Sequence, residues 1–195
     1  MAAYDDLKAG VREALPEIEE ISDPKLREGV VTAWATALSE TEFERIDQIR
    51  PSGGPNSAPL RHGSQADHLR GVARLSLAMA DSLESVMGPV GFNRDILIAA
   101  ALCHDIGKPF EFSPRNQKRW KRDPRVSGFP AMRHPAYGAH IAISAGLPEA
   151  VCHAAAGHSA EGDLIVRSLE NTIVHHADHA FWRILEGAGM LREPE

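Results

Sequence analysis

The stretch "ALCHDIGKPFEF", residues 101–112, closes an apolar run containing Ile96, Leu97, Ile98 and Leu102 on a base and an acid, His104 and Asp105, with Gly107, Lys108 and Pro109 directly behind them. A histidine at a helix C-terminus complements the dipole, but an aspartate there is unfavourable and calls for a compensating cation. Asp178 poses the same demand more sharply. It shares a helical face with Val174, Phe181, Trp182 and Leu185, so its carboxylate is pressed toward the core, where an unpaired charge is not tolerated. His68 shares a face with Val72, Leu75 and Met79. Taken alone it reads as a buried histidine bonded to a backbone carbonyl. A metal ion resolves all three intrusions together, because imidazole nitrogen and carboxylate oxygen are the ligands expected for iron, manganese or zinc, and a carboxylate can bridge two ions.

In order along the chain stand His68, the His104-Asp105 pair, His134 in "RHPAYGAH", His158 in "AAGHSAEG" and Asp178 in "VHHADHAFW". This pattern resembles the HD superfamily in its extended, two-metal form, over about residues 60–187, with "HDIGK" as its most specific word. The resemblance implies an all-α, HD-domain helical bundle. It implies that His68, His104, Asp105 and Asp178 hold one metal, and that Asp105 bridges to a second held by His134 and His158. Minimal single-metal members lack the two middle histidines, so their presence here implies two divalent or mixed-valent ions. Iron or manganese is expected first, with zinc, magnesium, cobalt and nickel also compatible. The chain lacks the Gly-Tyr-Pro signature and paired fourth histidines of the superfamily's cyclic-di-nucleotide phosphodiesterases, which disfavours that substrate.

Other residues have claims on substrate. Lys108 follows Asp105 by three positions, so its ammonium either meets a substrate oxygen beside the metals or is a solvated C-terminal lysine. The segment 115–133 carries seven basic residues and one acid, +6 against −12 for the rest of the chain. Arg119, Lys121, Arg122 and Arg133 in it read as a loop or lid that draws in an anionic substrate, against the plainer reading of a solvated loop. Glu161 is either a carboxylate supporting the site or an exposed loop acid, and Arg167 with Glu170 an ion pair near the pocket or on the surface. His62, just before the helix that carries His68, is either a gate on substrate or an ordinary loop histidine, and His140, His153, His175, His176 and His179 have no assignment.

The elements that must position these residues are helical. Asp23 and Pro24 open an amphipathic helix with Leu26, Val30, Trp34 and Leu38 on one stripe, within an N-terminal extension over residues 1–50 packed on the core. A Pro/Gly/Ser-rich loop at 50–63 leads to Ser64-Gln65-Ala66-Asp67, a capping box opening a helix to about Val86. Asn93 caps the next. A loop punctuated by Pro114, Pro124 and Pro130 follows, then helices near 135–144 and 148–157 and a long one from about 163 to 187. At 195 residues, with 43% hydrophobic and 25% charged, this is expected to be one globular unit built around the HD domain at 60–187. Cys103 and Cys152 read as reduced packing residues. No apolar run approaches a membrane span and the first residues lack signal-peptide character, so a cytoplasmic protein is expected. The net charge of −6 argues against general nucleic-acid binding. Nothing in the sequence fixes the oligomeric state.

The leading functional expectation is a metal-dependent phosphohydrolase acting on a small anionic phosphate ester or nucleotide through a hydroxide held by a dinuclear centre, with Asp105 and Lys108 as its catalytic residues. The alternatives are a mixed-valent di-iron oxygenase cleaving a small anionic organic substrate, and a non-catalytic, metal-stabilised ligand-sensing module.

Overall fold

The computed structural model describes residues 3–53 and 57–192; the loop expected at 50–63 therefore lies partly outside the described residues. Helix α1 (Tyr4–Ala14) buries Leu7 and Val11. A 3-10 turn at Pro16–Glu20 leads to α2 (Pro24–Ser39), where the Asp23 carboxylate accepts from the backbone N–H of Lys25 and Leu26, and Leu26, Val30, Trp34 and Leu38 form the buried stripe. Ser64 and Asp67 make the reciprocal capping box of α3 (Gln65–Met87), and the Asn93 side chain caps α4 (Arg94–Cys103). Later come α8 (His134–Ser144) and α9 (Glu149–Gly157). Among the described residues there is no strand, only an isolated bridge between Leu60 and Leu191.

Two expectations need correction. The basic segment is not a loop: α5 (Lys108–Phe112), α6 (Pro114–Arg122) and α7 (Pro124–Ser127) run through it. Pro114 and Pro124 each occupy a first helical turn, where the missing N–H is not needed, and Ser113 and Asp123 cap the turns by accepting from Asn116 N–H and Arg125 N–H. Prolines that read as breaks are helix starts. Buried Trp120 anchors α6, its ring 5.7 Å from Phe110. The last helix, α10 (Leu169–Gly187), begins at the Ser168 cap rather than near 163, because residues 160–164 form a 3-10 turn.

Helix α10 lies against α3 and α4, α4 against α9, and α9 against α8, while α2 crosses α4 and α8. One hydrophobic core runs from Leu7 to Ala177. The N-terminal section is joined to the centre of the molecule by Trp34, fully buried, whose indole N–H donates to the Leu102 carbonyl at 2.9 Å. Cys103 and Cys152 are free and buried, and burial pushes the Cys103 thiol far up, as packing residues require. No described helix is long and apolar enough to cross a membrane.

One close approach sets the relation between the His-Asp pair and α8. A Cβ on Gly107 would fall 2.1 Å from the His134 carbonyl oxygen and 2.7 Å from the Gly138 nitrogen. Gly107 has an ordinary φ of −83°, so it is space, not conformation, that demands glycine. The neighbours are backbone and have no rotamer to give. Gly107→Ala should therefore cost about 3 kcal/mol or more in chemical denaturation, beyond the usual overpacking penalty. Gly10→Ala, in a helix with nothing within 4 Å of the added atom, should instead stabilise by about 0.5–1 kcal/mol. Equal effects at the two sites would show that the α5–α8 approach is not tight.

Candidate metal centre

Five elements deliver six side chains to one buried place. His68 lies in the first turn of α3 and Asp178 midway along α10; His104 ends α4, with Asp105 next to it; His134 begins α8 and His158 ends α9. All six are buried, His68 and His104 completely. Asp105 divides them into two sets. Its Oδ2 lies 3.1 Å from His68 Nε2 and 3.5 Å from His104 Nε2, while its Oδ1 lies 3.1 Å from His134 Nε2 and 3.6 Å from His158 Nε2. Asp178 Oδ1 joins the first set, 3.4 Å from His68 Nε2 and 3.9 Å from His104 Nε2. Ligands around one ion at about 2.1 Å stand roughly 3–3.5 Å from one another, the scale of these separations.

Hydrogen bonding turns the lone pairs inward. At the ends of α4 and α9, His104 Nδ1–H donates to the Ala101 carbonyl at 2.6 Å and His158 Nδ1–H to the Ala154 carbonyl at 3.2 Å. Each ring thus caps its helix with one nitrogen and offers the other to the centre. His134 Nδ1–H donates to Glu111 Oε2 at 2.6 Å. A carbonyl or carboxylate can only accept, so Nδ1 carries the proton and Nε2 is bare in the neutral ring. The bare nitrogens of His134 and His158 then face each other at 3.3 Å, His68 Nε2, in a ring whose Nδ1 has no hydrogen-bond partner, stands 3.1 Å from the bare His104 Nε2, and Asp178 Oδ1 is buried without a hydrogen-bond partner. That is a repulsive arrangement for the protein alone and a fitting donor set for cations.

The titrating behaviour follows from the same packing. Burial pushes His158 down to about 4 and His68 below its ordinary value despite the nearby carboxylates, which keeps both neutral and able to ligate at pH 7. Burial also disfavours charge on His104, but Asp105 and Asp178 outweigh it and raise this ring. Both carboxylates are held ionised against burial, Asp105 well below the usual range by Lys108, His104 and His134, and Asp178 by His104 and His68.

Lys108 is not a solvated lysine. It is 1% exposed, with its ammonium 3.2 Å from Asp105 Oδ2 and donating to the Ser52 carbonyl. Arg119, Lys121 and Arg122 are exposed on α6 and make no contact with the six-residue cluster. Arg133 and Glu161 pair with each other at 3.0 Å, and Glu161, which burial would raise, is held at about 2 by Ser159 and Arg133. Arg167 does not pair with Glu170. It precedes α10 and donates to the Gly157 and Ser159 carbonyls and to Asp163, each at 2.7 Å, while Glu170 accepts from Asn93 N–H. Of the unassigned histidines, His175 donates to the His158 carbonyl at 2.5 Å, so three successive carbonyls around His158 are held from outside. Two buried residues were missed by sequence reasoning: Gln65, whose amide donates to Asp105 Oδ2 at 2.8 Å, and Glu111. Glu111 had a signal, an acid between Phe110 and Phe112; Gln65 had none beyond its place in the cap.

A family model for the HD domain matches residues 66–180. The dihydroneopterin 2',3'-cyclic phosphate phosphodiesterase of Methanocaldococcus jannaschii is 28% identical over 166 residues, which is 83% of this chain and 65% of that protein, so the chain spans less than two thirds of that relative's length. No solved structure matches the chain.

Ions bound here should stabilise the native state, since the unfolded chain has no such site. Chelation should lower the melting temperature on the order of 10 °C, from a binding term of about 4 kcal/mol in a chain of this size. His104→Ala and Asp178→Ala should lose metal by elemental analysis, whereas His140→Ala, on the exposed side of α8, should keep it. An unchanged melting curve with the metal gone would remove these residues from the ligand set.

Proposed function

The chain belongs to the HD-domain family, and from that premise we propose that it is a metal-dependent phosphohydrolase acting on a small anionic phosphate ester, with two ions shared through Asp105. The observation that carries the reading is the division of the Asp105 carboxylate, one oxygen toward His68 and His104 and the other toward His134 and His158. His68, His104, Asp105 and Asp178 would hold one ion and Asp105, His134 and His158 the other. Divalent ions in such a place supply Lewis acidity toward a phosphoryl oxygen and lower the pKa of bound water. A 2',3'-cyclic phosphodiester heads the substrate classes, because the M. jannaschii relative is named for hydrolysis of one.

The protein's own part is to hold charge still. Lys108, clamped between Asp105 and the Ser52 carbonyl, is a fixed cation beside the centre, suited to charge that grows only in the transition state. Neutral His68 and His158 present lone pairs rather than competing positive charge. Arg119, Lys121 and Arg122 on α6 are solvated and suited to steering an anion at long range, an effect that salt screens. Domain organisation follows the same reading, with residues 60–187 as the working unit and 1–50 as an extension packed on it.

The test is a panel of cyclic and linear phosphodiesters and monoesters, including dihydroneopterin 2',3'-cyclic phosphate and the 2',3'-cyclic nucleotides, assayed with manganese-loaded and iron-loaded protein. Opening of the cyclic ester to a monoester is the expected result. Dioxygen consumption by iron-loaded protein with no ester hydrolysed would favour the oxygenase, and full metal occupancy with neither activity a sensing module. Lys108→Met should lower kcat about 100-fold with metal content retained. Neutralising Arg119, Lys121 and Arg122 together should raise KM and flatten its salt dependence while kcat holds; a fall in kcat alone would end the steering role.

A further inference from the structure

We propose that Glu111 is a positioning residue for the second ion, setting the tautomer and aim of His134; this rests on the two-ion reading above. His104 and His158 stand at helix C-termini, where each finds a carbonyl with a lone pair to spare, three or four residues back in its own helix, to fix Nδ1. His134 stands at the other end of a helix, as the first residue of α8. There the free backbone groups are N–H donors, not carbonyls, so an acceptor for Nδ1 must come from elsewhere in the fold. Glu111, fully buried on α5, is that acceptor.

Its bonding is more than an anchor for the helix. Oε2 accepts both from the His134 backbone N–H at 2.7 Å and from its ring Nδ1–H at 2.6 Å, and Oε1 meets Arg133 Nη1 at 2.8 Å. The backbone bond alone would hold the start of α8. The ring bond adds a torsional lock on the imidazole and points its bare Nε2 at Asp105 Oδ1, 3.1 Å away. A carboxylate behind an imidazole also strengthens it as a ligand more than a neutral carbonyl does. Glu111 follows the His-Asp pair by six residues, so one short stretch of chain supplies both the bridging carboxylate and the support for the ligand across from it. Arg133 compensates the buried charge and ties it on to Glu161 at the surface.

The experiment counts ions, independently of substrate. Apo full-length protein is titrated with manganese, with stoichiometry taken from calorimetry and from elemental analysis after gel filtration, for wild type, Glu111→Ala and Glu111→Gln. The wild type should hold two equivalents. Glu111→Ala should hold the first unchanged and the second 10–100-fold more weakly, the usual effect of losing such a support. Glu111→Gln keeps an acceptor oxygen but sets its amide against Arg133, and should fall between the two. A merely structural role predicts a different result: both ions weakened together and a lower melting temperature of the apo protein. That result, or a second ion held at wild-type affinity by either variant, overturns the inference. If Glu111→Ala does not fold, the isosteric Glu111→Gln decides alone. One equivalent in the wild type overturns the two-ion reading and this inference with it, whereas two equivalents with no ester hydrolysed would count against the proposed activity only.

Discussion

Two carboxylates and four imidazoles converge in the core of this molecule, and the rest of the structure is arranged around the cost of putting them there. Asp105 is 2% exposed and Asp178 9%, and His134 and His158 beside Asp105 present bare nitrogens 3.3 Å from one another. Lys108 supplies one fixed positive charge at Asp105. The remaining imbalance is of a size and chemistry suited to metal ions, and a buried charge group of this kind holds together only when every member has its partner.

The ends of helices solve most of the positioning. A histidine at a C-terminus donates to a carbonyl of its own last turn with one ring nitrogen and is thereby aimed with the other, so the aim of His104 and His158 is set within their own helices. His158 is reinforced from outside by Arg167 and His175 on the neighbouring carbonyls. Glycines let these ends approach. Besides Gly107 against α8, a Cβ on Gly71 would lie 2.6 Å from the Phe181 ring, and one on Gly157 2.9 Å from the Asn171 amide, so α3 with α10 and α9 with α10 meet at distances only hydrogen allows. At Gly107 the opposing atoms are backbone and have little freedom to relax, whereas at Gly71 and Gly157 the nearest are side chains.

The basic residues divide by the same logic. Arg133 and Arg167 are engaged with Glu111, Glu161, Asp163 and backbone carbonyls, and their guanidinium forks are spent on holding the loops that carry His134 and His158. Arg119 lies over Trp120 at 5.9 Å and Lys121 over Phe129 at 5.6 Å, weak contacts, and both side chains, like that of Arg122, are exposed. A local charge of +6 thus resolves into a braced part and a solvated part.

Much of this was legible in the chain itself. The caps at Asp23, Ser64 and Asn93 depend on a few adjacent residues, and the apolar stripe of α2 on helical period, so both can be read locally. The intrusion of Asp178 and His104-Asp105 into apolar faces pointed to a cluster that could hold a cation, because a carboxylate carried into the core on an apolar face must meet positive charge there. The prolines at 114 and 124 misled because the same residue ends one helix and begins another, and only the capping bonds of Ser113 and Asp123 decide which. Tertiary structure alone decided how Asp105 shares its oxygens, where Lys108 points, and that Gln65 stands behind Asp105 and Glu111 behind His134. Those are contacts between groups up to 56 residues apart, set by how helices cross, and no local pattern of residue types encodes a crossing.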